Sequence, residues 1–256
     1  MTDASDAAEQ AIEIPSEPDL PKAETLAVLA EGDMDVLGRL AWSSNTTMLA
    51  VVRAGGVEMP AVYKPQRGER PLWDFPDGTL CAREVATFEV SDALGWDLVP
   101  ETVLRDGPYG LGMVQRFVEH DPDEHYFALL PHHVEELMRF AVFDVVVNNA
   151  DRKGGHILQS LRTGELRGID HGLTFHVQWK LRTVIWDFAN QRVPEALLDD
   201  VCRLLPMLDG DLGARLGELL TPFEIQSMQA RAAELGSVGV LPEPDPGYHS
   251  VPWPLV

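Results

Sequence analysis

Asn148-Asn149-Ala150-Asp151-Arg152-Lys153-Gly154-Gly155-His156-Ile157-Leu158, residues 148–158, decides the reading of this chain. An apolar helical pattern over 133–148 precedes it, with Leu137, Phe140, Ala141 and Val145 at helical spacing, and the apolar pair Ile157-Leu158 follows. A polar loop held between two buried elements is a natural place for chemistry. A helix C-terminus complemented by cations and stopped at Gly154 accounts for Arg152 and Lys153, but leaves Asn149 and Asp151 unexplained. Downstream, Thr163-Gly164-Glu165 reads as a hairpin turn, and Gly168-Ile169-Asp170-His171-Gly172 places a second carboxylate just before a glycine.

Upstream the pattern differs. Short β-type runs over 36–42, 47–53, 61–64, 101–104 and 113–118 alternate with turn signals, Gly55-Gly56 among them. One helix, 81–94 with a stop at Gly95, interrupts them. Lys64 closes the run Ala61-Val62-Tyr63-Lys64, and Glu84 lies in the first turns of the following helix. Beyond residue 131 helices dominate, and Thr221-Pro222-Phe223-Glu224 opens one that is expected to end before Gly236. The expected organisation is an acidic disordered tail over 1–22, a β-rich lobe over 23–118, a helical lobe over 119–236 and a Pro-rich tail over 237–256. Trp253 and Leu255 are candidates to pin the last segment to the surface.

The chain has 256 residues and a formal net charge of −21. That excess argues against a general nucleic-acid binder and against non-specific docking to anionic lipid. The charge is uneven: residues 1–35 carry ten acids against one base, whereas 131–195 carry eight of each. Two cysteines at unrelated positions make neither a disulfide framework nor a zinc site. With no signal-peptide pattern and no membrane-length apolar run, a cytoplasmic protein without integral membrane association is expected.

The order of these parts is strand Lys, helix Glu, connecting strand, loop Asp, hairpin, Asp-x-Gly. In that order the sequence resembles the phosphatidylinositol 3-/4-kinase superfamily. It is most similar to the type II phosphatidylinositol 4-kinase branch and more loosely to HipA-like kinases, and it resembles an uncharacterised actinobacterial family related to those lipid kinases. The phrases that carry the likeness are Tyr63-Lys64-Pro65, Arg83-Glu84-Val85-Ala86, Gln115-Arg116-Phe117-Val118, Asn149-Ala150-Asp151-Arg152 and Ile169-Asp170-His171-Gly172.

The resemblance implies an α+β, two-lobed kinase-like fold and an ATP-dependent phosphotransferase acting on a hydroxyl of an inositol lipid, a soluble inositol derivative or a protein. It implies Lys64 on the ATP phosphates with Glu84 as its ion-pair partner, and a phosphate-covering loop from Ser43, Ser44, Asn45 and Thr46. It further implies an adenine-reading hinge over Gln115, Arg116, Phe117 and Val118, Asp151 as the catalytic carboxylate, and Asp170 as a ligand of Mg²⁺ or Mn²⁺. His156 stands where the family pattern has a metal-binding Asn. That departure keeps two alternatives open, an ATP-binding pseudokinase with protein partners and an adenylyl transferase. Between Phe175 and Val193, Lys180 and Arg182 form a small basic patch, and Trp179 and Trp186 read as packing residues.

Overall fold

The computed structural model describes residues 14–40 and 46–256. Ser43, Ser44 and Asn45 of the expected phosphate-covering loop lie outside the described residues. The first lobe is built on strands β1 (Asp33–Arg39), β2 (Met48–Ala54), β3 (Val57–Pro65), β4 (Thr102–Gly107) and β5 (Gly110–Arg116). They form one antiparallel sheet in the order β1-β2-β3-β5-β4. The Gly55-Gly56 turn between β2 and β3 has φ of 56° and 84°, a backbone that favours glycine.

Strand alternation assigns the two faces. Ala50, Val52, Ala61, Tyr63 and Val114 pack with Val28 and Leu29 of helix α1 (Lys22–Glu31). Met113 turns the other way, onto Cys81 and Val85 of helix α2 (Leu80–Leu94), and is the direct cross-strand partner of Lys64. At Gly112 a Cβ would fall 2.5 Å from the Lys64 carbonyl oxygen, so only glycine permits this approach of β5 to β3.

The second lobe contains α3 (Tyr126–Leu129), α4 (Val134–Val147), the two-stranded β6 (Ile157–Gln159) and β7 (Leu166–Gly168), α5 (Glu195–Met207), α6 (Asp211–Gly217) and α7 (Pro222–Val238). One core joins α2, α4, α5, α6 and α7 through residues such as Phe88, Phe140, Phe143, Val201, Leu216 and Met228. The fold is thus the two-lobed α+β arrangement expected. No helix of the described residues is long and apolar enough to cross a membrane.

Several local expectations shift. Helix α7 does carry the Thr221/Glu224 capping box, but it runs through Gly236 to Val238 and ends at Gly239, which has φ of 67°. A Cβ at Gly236 would meet Cys202 Sγ at 2.7 Å, so this glycine serves helix contact rather than termination. Residues 16–21, grouped by composition with the disordered tail, lie partly exposed and are anchored through Glu17. The Glu17 carboxylate is buried against the Arg116 guanidinium and 3.4 Å from Arg162 Nε. Lys180 belongs to no basic patch: it is buried, bonds Asp74 at 2.7 Å and lies over the Trp73 ring. The Pro-rich segment is attached by backbone and by side chains other than Trp253: the Tyr248 hydroxyl accepts from Arg182 Nη2 at 2.9 Å, and Leu241 is buried. Ser250 O accepts from Thr183 N–H and Trp186 Nε1–H, and Leu255 O accepts from Gly154 N–H at 2.7 Å, while Trp253 is exposed.

Candidate active site

The ends of β3 and α2 and the two loops of the helical lobe meet at one cavity of about 250 Å³. Thr46, Lys64, Glu84, Asp151 and Asp170 all line it. Lys64 Nζ donates to Glu84 Oε1 at 2.7 Å and to Asp170 Oδ1 at 2.8 Å, across 20 and 106 residues of sequence. Burial pulls the Lys64 ammonium down, but Asp170 and Glu84 together outweigh it and hold it above its usual range. Lys64 in turn holds the Asp170 carboxyl well below the usual carboxylate range. Burial pushes Glu84 up against the pull of Lys64. Its second oxygen, Oε2, accepts the His171 N–H at 2.8 Å, so this one carboxylate links the strand lysine to the loop that carries Asp170.

Helix α4 ends with Asn148 in the left-handed region, φ 53°. Its side chain clamps the chain from 176 to 180: Nδ2 donates to His176 O and Gln178 O, and Oδ1 accepts from Lys180 N–H. Asp151 follows on a tight turn in which its N–H donates to Asn149 Oδ1. Its Oδ2 accepts from Lys153 Nζ at 2.6 Å. Burial pushes the Asp151 carboxyl up and Lys153 opposes the shift, with a net rise that strengthens it as a base.

Beneath the loop lies a lattice that the sequence did not single out. Arg152 and Asp144 are both fully buried, with Arg152 Nε and Nη2 each 3.0 Å from an Asp144 oxygen. Arg152 Nη1 donates to His156 O and Ile169 O, and Nη2 donates to His171 Nε2 at 2.6 Å. The His171 ring therefore accepts on Nε2 and carries its proton on Nδ1. Burial, with Arg152 beside it, holds this ring neutral. The visible signal was only the acid at 144 inside an apolar helix, eight residues before an arginine.

His156 has Nε2 3.3 Å from Asp170 Oδ2, and Nδ1 accepts from Lys153 N–H. Burial brings its pKa down to about 4. The native ring stays neutral where the unfolded chain, with histidine near pH 6.5, takes up a proton. Stability linked to this group is therefore whole above pH 6.5 and declines towards pH 4, by up to about 3 kcal/mol. Thermal unfolding from pH 7 to pH 4.5 is expected to show a shallower decline in His156→Asn than in the wild type. Parallel profiles would remove His156 as a source.

The expected hinge is placed differently from the phosphate-binding groups. Gln115 and Arg116 are the last residues of β5 and have committed side chains, Gln115 to Thr102 and Arg116 to Glu101. Phe117 N–H donates to Pro60 O. None of residues 115–118 lines the Lys64 cavity. Phe117 instead borders a separate cavity of about 290 Å³ together with Ile14, Pro15, Glu17 and His120.

Among the described residues no three His, Cys, Asp or Glu side chains are grouped to hold a metal on their own. The donors present nonetheless suit a hard divalent ion carried with phosphates. Asp151 and Asp170 offer oxygens to one cavity, and Mg²⁺ commonly takes only one or two carboxylates beside substrate phosphates.

A chain with a β-sheet lobe, a helical lobe and this lysine–carboxylate cleft has the architecture of a kinase. The family model for phosphatidylinositol 3- and 4-kinase matches residues 101–215, which hold Asp151 and Asp170. Protein Rv2133c of Mycobacterium tuberculosis is 41% identical over 89% of this chain and 94% of its own length. The chain belongs to the phosphatidylinositol 3-/4-kinase superfamily, in one family with that protein. Among solved structures it is similar to the Helicobacter pylori proinflammatory kinase CtkA, with a TM-score of 0.50, 12% identity, and 83% of this chain and 94% of that one covered. It is also similar to the Golgi casein kinase, with a TM-score of 0.51, 13% identity, and 84% and 75% covered. A second structure of the Golgi casein kinase has Mn/ADP bound.

Proposed function

We propose that the protein is an ATP-dependent phosphotransferase that moves the γ-phosphoryl group to a hydroxyl. The carrying observation is the convergence of Lys64, Glu84, Asp151 and Asp170 on one cavity from four separate segments. In this reading Lys64 presents its ammonium to the phosphates and Glu84 fixes its direction. Asp170 holds Mg²⁺ or Mn²⁺, with His156 against its other oxygen. A divalent ion held there with ATP would supply positive charge against the phosphates. Asp151 orients the acceptor hydroxyl and takes its proton as the oxygen bonds to the γ-phosphorus and the bond to ADP breaks. Lys153 stands beside Asp151 and offsets the charge gathered there. Thr46 reaches the same cavity, and with Ser43, Ser44 and Asn45 it would cover the phosphates.

The acceptor is a hydroxyl of an inositol lipid, a soluble inositol derivative or a protein Ser/Thr. The net charge of −21 favours the last two over a strongly anionic membrane surface. The hinge over Gln115, Arg116, Phe117 and Val118 remains part of the proposal as the adenine-facing edge.

Incubation with ATP and Mg²⁺ or Mn²⁺, with and without phosphatidylinositol, tests the reading by mass spectrometry of protein and added acceptors. A gain of one phosphate is expected. A gain of AMP would replace the reading with adenylyl transfer, and nucleotide binding with no transfer would leave an ATP-binding pseudokinase, the alternative that His156 favours. Lys64→Ala is expected to weaken ATP binding by at least about tenfold, since it removes the cation and leaves Glu84 and Asp170 facing each other unscreened. Isothermal titration with ATP measures it, and unchanged affinity would take Lys64 out of the phosphate site.

A further inference from the structure

Residues 248–256 hold no Asp, Glu, Lys or Arg, yet they lie against the loop that carries Asp151. Residues 182–184 pair with that loop first: Arg152 N–H donates to Arg182 O at 2.9 Å, and Val184 N–H to Arg152 O at 3.0 Å. Thr183, between them, turns its N–H the other way, where Ser250 O accepts it at 3.0 Å. Arg182 Nε donates to His249 O at 3.0 Å. Beyond Asp151 and Lys153, Gly154 N–H donates to Leu255 O at 2.7 Å.

The attachment has a firm base and a loose end. Ser250 and Pro252 are buried, and Ser250 O takes a second donor, Trp186 Nε1. Residues 253–256 are all exposed and belong to no apolar core. Among the described residues, Leu255 O is their one hydrogen-bonded group. Two glycines let this strap lie down. A Cβ at Gly154 would come 3.2 Å from Leu255 O and 3.1 Å from Phe127 Cε2, and one at Gly155 would come 3.4 Å from Val256 Cγ1. Bare main chain of this kind grips a polypeptide carbonyl whatever side chains accompany it. No residue of 248–256 lines the Lys64 cavity, so the strap leaves the nucleotide side of Asp151 open.

We propose that residues 253–256 occupy the acceptor side of the Asp151 loop, and that the acceptor is a polypeptide segment carrying Ser or Thr, which displaces them and takes the Gly154 N–H with its own main chain. This rests on the phosphotransferase reading of Asp151. The place is already fitted to a peptide backbone, and no side chain of the described residues hydrogen-bonds the strap. A polyhydroxylated ring needs side-chain partners on its hydroxyls, so the arrangement favours a polypeptide. A tethered strap is also a competitor at high local concentration, and sets a threshold that a fitting segment has to pass.

Gly155→Cys with Val256→Cys, in a full chain that also carries Cys202→Ser, makes the strap lockable, because Val256 Cγ1 already lies within disulfide reach of residue 155. Cys81 is buried and stays. A degenerate peptide library with a central Ser is passed over the immobilised protein, and the retained peptides are counted by mass spectrometry. The reduced form is expected to retain at least about tenfold more than the oxidised form, with retention restored by dithiothreitol and ATP affinity the same in both. With γ-labelled ATP and Mn²⁺, transfer to the library should follow the same ratio. Equal retention by the two redox forms, loss of ATP binding on oxidation, or transfer by the reduced form to myo-inositol and not to the peptides would each overturn the proposal. Redox-dependent retention with no transfer to any acceptor would instead remove the phosphotransferase reading and leave the strap as the gate of a peptide-binding surface. Should the disulfide fail to form, a chain ended after Pro252, which gives up four exposed residues and no part of a core, should retain at least about tenfold more library than the wild type, and equal retention overturns the proposal.

Discussion

Asp151→Asn is expected to lower phosphoryl transfer by about 10²–10⁴-fold while ATP binding persists. The substitution keeps the shape of the side chain and its place after the Asn149 turn, but an amide cannot accept the acceptor's proton. The groups proposed to hold the nucleotide, Lys64 with Glu84 and Asp170, are bonded to one another and not to Asp151, so they survive the change. The bond from Lys153 to Asp151 is lost as a charged pair, which frees an ammonium near the phosphates and tends to favour ATP binding. Single-turnover transfer from γ-labelled ATP, with nucleotide titration in parallel, reads the two effects separately. Full transfer in this variant would sink the assignment of Asp151, and a joint loss of binding and transfer would move it into the nucleotide site.

Asp144→Ala should cost about 3–5 kcal/mol of stability. The figure follows from what is left behind: Arg152, fully buried, with its one carboxylate partner among the described residues gone. Asn149 loses an acceptor for its Nδ2 at the same time. Paired replacement, Asp144→Leu with Arg152→Met, removes both charges and is expected to recover much of the loss, because an apolar pair carries no unpaired ion. Urea unfolding of the three variants measures this. If the single and double variants were equally destabilised, the cost would lie in packing and not in an orphaned cation. The same lattice holds His156 O and Ile169 O, so the double variant should fold better than it transfers.

Local pattern carried much of the fold. Alternation marked the strands, Gly95 marked the end of α2, and the Thr221 capping box marked the start of α7, because each is a matter of neighbours in sequence. Helix α1 escaped notice: only Thr25, Val28 and Leu29 are buried, too few to stand out within an acidic, Ala-rich stretch. Gly236 misled because a glycine that ends a helix and one that lets two helices touch look alike until the partner, Cys202, is known. For the site, residue types and order pointed to Lys64, Glu84, Asp151 and Asp170. What spacing could not reveal was how a contact over 106 residues would be made, or that Arg152 faces inward to Asp144 and not outward as a helix-end cation. Tertiary partners fix such features, and a single sequence names no partners.

Helix α2 belongs to the first lobe by sequence but not by mechanics. Arg83 donates to Thr174 O and is paired with Glu224 of α7, Glu84 accepts from His171 N–H, and Thr87 meets Thr174. Its apolar side, with Phe88, Val90 and Leu94, is continuous with the core of the helical lobe. In machine terms α2 is stator, and the five-stranded sheet, with Lys64 near the end of its central strand, is the rotor. Swinging α2 outward would tear a buried ion pair and open the main core, so an off state made by displacing this helix has no cheap route. The opening that spares these contacts is a tilt of the sheet against a fixed Glu84, moving Met113 over Cys81 and Val85, with the Lys64 contact made or broken by the strand's own travel.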